Sequence, residues 1–202
     1  LKATVLRVGR HERLVTIGFA GSVDAVWTGL AQHGRPIQYA HVDMPLALWD
    51  VWTPVAGAPV AFEPPSAGFA LSWRALADLR GHGVAFATIT HAAGISSTGD
   101  LELDALLPFD EPYHIPIATA RAIAAARARG GRVIAIGTTV VRAIEDASDA
   151  RGVVRPGHGV AMQKVTAATR LKVVDVLLSG VHEPGTSHYE LMRAFTDDET
   201  LQ

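Results

Sequence analysis

Polar side chains that can bind anions or move protons follow three apolar segments of the chain. His91, His182 and the run Gly137-Thr138-Thr139 each come directly after such a segment. If these segments are parallel strands, their carboxyl ends meet at one edge of a sheet, which is where ligands bind in α/β folds. We therefore expect the three groups to converge on one site.

Gly137-Thr138-Thr139 predicts an anion site. A strand-to-helix turn of this kind offers backbone N–H groups, two hydroxyls and the positive end of a helix dipole to phosphate or carboxylate. A threonine there can equally serve only as a helix cap. Arg142 can reach an anion bound at this turn, or it can pair with Glu145 or Asp146 on an exposed helix face. Neither G-x-x-x-x-G-K-[ST] nor G-x-G-x-x-G after a strand occurs, so the sequence supports neither an NTPase nor a dinucleotide site.

His91 and His182 are the candidate proton-transfer groups, because imidazole titrates near neutral pH. Either ring can instead be a capping or core residue. The chain has nine histidines but no H-E-x-x-H and no cysteine, so we predict no metal site and no thiol nucleophile. Ser66-Ala67-Gly68 predicts a tight backbone turn. This turn either lies beside a ligand or simply precedes a helix whose predicted N-cap is Ser72.

The elements that position these residues alternate between helix and strand. Helices are predicted over residues 73–80, 119–129 (capped by Thr119), 140–147 and from Ser187 to Phe195, with strands over 84–89, 132–136 and 173–181. Residues 92–116 and 150–159 are assigned to loops. This alternation predicts an α/β fold with a mainly parallel sheet and helices on both faces.

The N-terminal residues have a different pattern. Residues 1–8 and 14–19 predict a β-hairpin, and residues 22–32 predict a helix that ends at Gly34. A two-stranded hairpin is marginal alone, and the chain begins with Leu1, so we expect partner strands upstream. Two domains are predicted, 1–35 and 36–202, with the proline-rich residues 36–65 as the connection.

Composition excludes several classes of protein. The 202 residues carry a net charge of -2, so no global basic field indicates nucleic acid, and no apolar run is long enough to span a membrane. Arginine and lysine clusters together with tryptophans leave RNA contact open, although solvated helix faces look the same. These residues are Arg121, Arg127, Arg129, Arg132, Lys164, Arg170, Lys172, Trp49, Trp52 and Trp73.

Three segments together resemble a known family. They are Pro65-Ser66-Ala67-Gly68-Phe69, residues 130–145 with G-T-T-x-x-R-x-x-E after Gly-Gly-Arg, and residues 171–184 with K-x-x-D and H-x-P. The chain resembles the S-adenosylmethionine:tRNA ribosyltransferase-isomerases of queuosine biosynthesis. The resemblance implies a larger α/β domain with a smaller inserted β-barrel domain, of which residues 1–35 would be a remnant.

The resemblance also implies a function. The ribosyl part of S-adenosylmethionine, a cosubstrate and not a methyl donor, would be transferred to 7-aminomethyl-7-deazaguanine at the tRNA wobble position, giving epoxyqueuosine. His182, His91 and Glu111 would be catalytic, while Gly137, Thr138, Thr139, Arg142, Ser66, Ala67 and Gly68 would bind the cosubstrate. A cytoplasmic enzyme without metal or membrane contact is implied, and a homo-oligomer is left open.

Several motif loops depart from the family pattern. Ala70 stands where the family has histidine, Ala92-Ala93-Gly94 follows His91 in place of its glycine-threonine turn, and Gly185 replaces a lysine. Strand and helix segments match better than these loops, which indicates a retained fold with an altered site. Two alternatives therefore stay open, namely a paralogue that acts on a small molecule and a non-catalytic binding module.

Overall fold

The computed structural model describes residues 2–38, 42–57 and 63–201, which fall into two units, Leu1–Val51 and Trp52–Gln202. The first unit contains the predicted hairpin and helix. Its elements are β1 (Ala3–Val8), β2 (Val15–Phe19), α1 (Val23–His33) and a 3-10 turn (Leu48–Val51). β1 and β2 pair antiparallel, and Ser22 caps α1 by accepting a hydrogen bond from the N–H of Ala25. The hairpin and the helix are confirmed; the barrel remnant and the domain boundary at residue 35 stay predictions.

The second unit alternates short helices with short strands. Its elements in chain order are a 3-10 turn (Ser66–Ala70), α2 (Trp73–Gly81), β3 (Thr90–His91), α3 (Leu101–Asp104), β4 (Glu111–Ile115), α4 (Ile117–Ala128), β5 (Ile134–Ile136), α5 (Thr138–Asp146), β6 (Gly157–Ala161), β7 (Val176–Leu178), α6 (Ser187–Met192) and α7 (Asp198–Leu201). Helices α2, α4 and α5 and strands β5 and β7 correspond to predicted elements. The α/β class is therefore confirmed.

Within the part of the chain that the structure describes, strands pair in parallel at one place. β5 and β7 pair in parallel, whereas β3, β4 and β6 form an antiparallel sheet in the order β3-β4-β6. The expectation of a mainly parallel sheet is thus confirmed for a single pair of strands. The prediction assigned β4 and most of β6 to loops, because a proline in β4 and two glycines in β6 weaken the local strand signal.

Three local predictions are wrong. Residues 84–89 form no strand: most of them are solvent-exposed instead of buried, and strand pairing begins only at Thr90. α4 begins after Pro116 instead of Thr119, whose hydroxyl donates to the carbonyl of Thr88 (2.6 Å). α6 is capped by Thr186, which accepts the N–H of Tyr189, so Ser187 is its first helical residue. In each case a neighbouring residue or a tertiary contact overrides the local signal.

Helix α5 lies at the centre of the second unit. Val141, Ala143 and Ile144 pack into a core that includes Ile115 of β4 and Val173. Glu145 on the same helix is also buried, and its carboxylate accepts hydrogen bonds at 2.8–2.9 Å from three successive backbone N–H groups at residues 172–174. This carboxylate satisfies backbone donors just before β7 that would otherwise be buried without partners. Glu145 thereby fixes the approach to the parallel sheet.

We expect Glu145→Ala to lower the free energy of unfolding by about 3 kcal/mol, because it leaves these backbone N–H groups unsatisfied. Urea unfolding followed by circular dichroism measures the loss. Glu102→Ala, at an exposed position, is the matched control and should change stability by less than about 0.5 kcal/mol. Equal stability of the two variants would contradict the role given to Glu145.

Candidate active site

Two of the predicted ligand turns lie side by side. Gly137 links β5 to α5 with a φ of +98°, a backbone conformation that glycine adopts without strain, and its N–H donates to the carbonyl of Leu178 (2.9 Å) at the end of β7. A Cβ added to Gly137 would lie 3.7 Å from the Cβ of Ala67. The structure therefore brings the start of α5, with Thr138 buried, against the Ser66-Ala67-Gly68 turn.

Close packing holds this turn in place. A Cβ added to Gly68 would lie 2.7 Å from Cγ2 of Val55 and 3.0 Å from Oγ1 of Thr53, so no larger residue fits without a shift. Thr53 is 1% exposed, and its Oγ1 has no hydrogen-bond partner among the described residues. Glycine at position 68 thus lets residues 66–70 pack directly on residues 53–55.

Arg142 is the centre of the buried polar contacts. Its guanidinium forms an ion pair with Oε2 of Glu111 and donates to three backbone carbonyls, those of Phe109 (3.2 Å), Ala161 (2.9 Å) and Gln163 (3.3 Å). Arg142 is only 3% exposed. The predicted alternative of a pair with Glu145 or Asp146 on an exposed face is therefore wrong, because the side chain points into the protein. Its predicted role in binding an anion stays a prediction.

Glu111 connects Arg142 to His91. Its Oε1 accepts the N–H of Gly94 (2.7 Å), and its Oε2 lies 3.5 Å from Nε2 of His91. Burial raises the pKa of Glu111, opposed by the hydrogen bond from Gly94 and by the charge of Arg142. Burial, together with the charge of Arg142, lowers the pKa of His91 to about 4. His91 is therefore a neutral imidazole at pH 7, and neither of its buried ring nitrogens has a hydrogen-bond partner among the described residues.

His182 belongs to a second group of polar side chains. Its Nε2 lies at hydrogen-bond distance, 2.9 Å, from Oγ of Ser179, and its ring meets the ring of His188 edge-on with centroids 4.8 Å apart. Burial lowers the pKa of His182, and the carboxylate of Glu63 acts in the opposite direction. Burial, with smaller contributions from His182 and Arg142, lowers the pKa of His188 to about 4. Both imidazoles are thus biased toward the neutral form.

The two groups lie within electrostatic range of one another. The charge of Arg142 acts on both His91 and His188, and the charge of Glu63 acts on both Glu111 and His182. Glu63 is itself held by the N–H and hydroxyl of Ser96 (2.7 and 2.9 Å). The site therefore combines an arginine, two carboxylates and three histidines, an arrangement suited to proton transfer next to a charged substrate.

Sequence reasoning missed Glu63, Ser179 and His188 as site residues. Glu63 lies in the proline-rich connection, where no pattern singles it out. His188 follows His182 by six residues on the next helix, a spacing that the metal motifs exclude and that no other motif selects. Only the fold of residues 179–188 brings the two rings into contact.

A family model described as queuosine biosynthesis protein matches residues 1–202. The chain belongs to this family. The S-adenosylmethionine:tRNA ribosyltransferase-isomerase of Sorangium cellulosum is 42% identical over 97% of this chain and 58% of that protein, and the enzyme of Geobacter sulfurreducens is 36% identical over 70% and 42%. The crystal structure of S-adenosylmethionine tRNA ribosyltransferase from Thermotoga maritima matches 66% of this chain and 42% of its own, with a TM-score of 0.51 and 26% identity. The chain spans about half the length of the curated relatives it matches.

The queuosine-family motif G-T-T-x-x-R-x-x-E thus has a structural explanation in this chain. Gly137 makes the turn into α5, Arg142 binds Glu111, and Glu145 binds the backbone before β7. Asp175 of the K-x-x-D motif accepts the N–H of Val133 (2.7 Å). Within residues 2–38, 42–57 and 63–201, no helix is long and apolar enough to cross a membrane, and no cluster of three histidine or acidic side chains could hold a metal ion.

We expect Arg142→Met to lower the free energy of unfolding by about 3–5 kcal/mol, because it leaves Glu111 buried without its counter-charge. The double variant Arg142→Met/Glu111→Gln should be more stable than the sum of the two single losses predicts. Urea unfolding of the four proteins measures this coupling, with Arg129→Met at an exposed position as the matched control. Strict additivity would contradict a direct pair.

Acid should destabilise the protein through His91. Its folded-state pKa of about 4 lies below the ordinary value of 6.5, so between these pH values the unfolded chain binds more protons than the folded one. The stability contributed by the neutral ring is present above pH 6.5 and is lost as pH falls toward 4. We expect His91→Gln to reduce the slope of unfolding free energy against pH in this window by up to about 1.4 kcal/mol per pH unit.

Urea unfolding at several pH values between 4 and 8 measures this slope, with His33→Gln, at an exposed position, as the matched control. A slope that is the same in His91→Gln and in the unsubstituted protein would show that His91 titrates in the folded state as it does in the unfolded chain.

Proposed function

We propose that this chain acts in the S-adenosylmethionine:tRNA ribosyltransferase-isomerase reaction of queuosine biosynthesis. S-adenosylmethionine would supply the ribosyl group, and 7-aminomethyl-7-deazaguanine at the wobble position of tRNA would accept it, with release of adenine and methionine. The match of the queuosine family model over residues 1–202 and the names of the relatives support this proposal. Because this chain spans only part of these relatives, its activity and its substrates are proposed from the similarity.

The observation that carries the proposal is the neutral, buried imidazole of His91 beside the Glu111–Arg142 pair. The sulfonium of S-adenosylmethionine acidifies the adjacent 5′ carbon, and the reaction needs a base there. A neutral imidazole at pH 7 has a lone pair available for that proton. Glu111, 3.5 Å away, stabilises the imidazolium that results. His91 would therefore act as the base and Glu111 as the group that stabilises its charged form.

The remaining site residues have roles in binding. His182, which Ser179 holds at 2.9 Å, would hydrogen-bond the departing adenine. Thr138 and Thr139 at the start of α5 would hold an oxyanion of one substrate, with the adjacent Ser66-Ala67-Gly68 turn against the cosubstrate. Arg142 would act by holding Glu111 in place, since four of its five N–H groups already have protein partners.

The proposal predicts that adenine is released from S-adenosylmethionine only when tRNA carrying 7-aminomethyl-7-deazaguanine is present. His91→Gln should lower kcat by about 100-fold or more with little change in KM, because the substitution removes the base and keeps the binding surface intact. Liquid chromatography of released adenine measures both the dependence on tRNA and the kinetic constants of the variant. His33→Gln is the matched control.

Two outcomes would contradict the proposal. Adenine release that does not need tRNA would favour a paralogue that acts on a small molecule. No release at saturating concentrations of both substrates would favour a binding module. A normal kcat in His91→Gln would leave the reaction in place and remove His91 as its base.

A further inference from the structure

A cavity of about 180 Å³ lies beside the buried polar site and shares Arg142 and His188 with it. Its other walls come from α6 and from residues 104–108 and 164–166. At roughly 30 Å³ for each water, it has room for about six waters, or for the end of a small molecule. None of the roles proposed above uses it.

One wall of the cavity can bind an anion. Among residues 2–38, 42–57 and 63–201, Lys164 has one side-chain hydrogen bond, from Nζ to the carbonyl of Ala105 (3.2 Å), which leaves two of its ammonium hydrogens for a ligand. Ser187 lines the same cavity, and its Oγ is buried without a hydrogen-bond partner among the described residues. A buried hydroxyl without a partner is costly unless a ligand or water satisfies it. A carboxylate between Lys164 and Ser187 would satisfy both groups.

Two carboxylates also line the cavity, beside Arg142, Thr166 and His188. Glu190 lines it and shares its carboxylate with Arg193 (3.1 and 3.2 Å), and Asp104 lines it while accepting hydrogen bonds from Thr98. These carboxylates would repel a phosphate dianion that approaches Lys164, and they attract an ammonium group. Cationic and anionic groups in one small cavity therefore match a zwitterion better than a simple anion.

The remaining lining is apolar and comes mainly from Leu107, Pro108, Val165 and Leu191. Apolar walls between charged ends suit a short alkyl chain. An α-amino acid with such a side chain combines all three features of the cavity, namely a carboxylate, an ammonium group and methylene groups.

We propose that this cavity binds the α-amino-acid end of S-adenosylmethionine, with its carboxylate on Lys164 and Ser187 and its ammonium group facing Glu190. This assignment rests on the proposed function, which supplies the cosubstrate. In this assignment the amino-acid end binds in the cavity and not at the start of α5. Thr138 and Thr139 are then available for an oxyanion of another substrate.

Two thioether analogues that differ only in the amino-acid portion test the assignment. S-adenosylhomocysteine carries this portion, and 5′-methylthioadenosine has a methyl group instead. Calorimetric titration gives the ratio of their affinities for the unsubstituted 202-residue chain, for Lys164→Met and for Ser187→Ala. Lys2→Met, at an exposed position of the first unit, is the matched control.

We expect Lys164→Met to weaken binding of S-adenosylhomocysteine by about tenfold or more and to leave 5′-methylthioadenosine unaffected, so that the affinity ratio falls. Ser187→Ala should lower the ratio about threefold or more. If S-adenosylhomocysteine binds and neither variant changes the ratio, the cavity is not the amino-acid subsite, whereas the proposed function stands. If neither analogue binds the unsubstituted chain while adenine is still released from S-adenosylmethionine, the subsite assignment fails and the proposed function stands; if no adenine is released either, both fail.

Discussion

The buried ion pair between Arg142 and Glu111 is the interaction on which the rest of the site depends. A buried guanidinium is tolerated only when its charge and its N–H groups have partners, and Arg142 has both, in Glu111 and in the carbonyls of residues 109, 161 and 163. These partners lie at the start of β4 and just before it, at the end of β6 and just beyond it. One side chain of α5 therefore fixes the segments that place His91, Gly94 and the entrance to β4.

The same helix holds the other half of the unit through Glu145. Arg142 and Glu145 are both buried and both satisfied mainly by backbone groups, so α5 binds the antiparallel sheet with one residue and the approach to β7 with the other. The turn at Gly137, which precedes α5, places the start of this helix at the predicted ligand site. The groups that position the candidate site are thus also groups that complete the core, so we expect substitutions of these groups to change both stability and the geometry of the site.

Local signals account for what the sequence predicted. Ser72 caps α2 as predicted, because its hydroxyl accepts the N–H of Ala75 three residues further on, and Gly137 marks its turn because the backbone there has a positive φ. The partners of Arg142 lie about 20–30 positions away along the chain, and β4 pairs with β6 across about 40–50 positions, which no local pattern specifies. No motif indicates the contact of His182 with His188, although the two rings are close in sequence, or the electrostatic effect of Glu63 on His182. Local patterns in the sequence thus predict turns and helix caps more reliably than contacts between distant residues.

Amide hydrogen exchange at Gly94 tests the central role of the ion pair most directly, because the N–H of Gly94 donates to the Glu111 oxygen that Arg142 does not bind. The amide of Val174, which Glu145 holds, is the internal reference. If Arg142 fixes Glu111, Arg142→Met should accelerate exchange at Gly94 by about tenfold or more beyond any acceleration at Val174. Equal acceleration at the two amides, or unchanged protection at Gly94, would contradict the role of the pair in positioning the site.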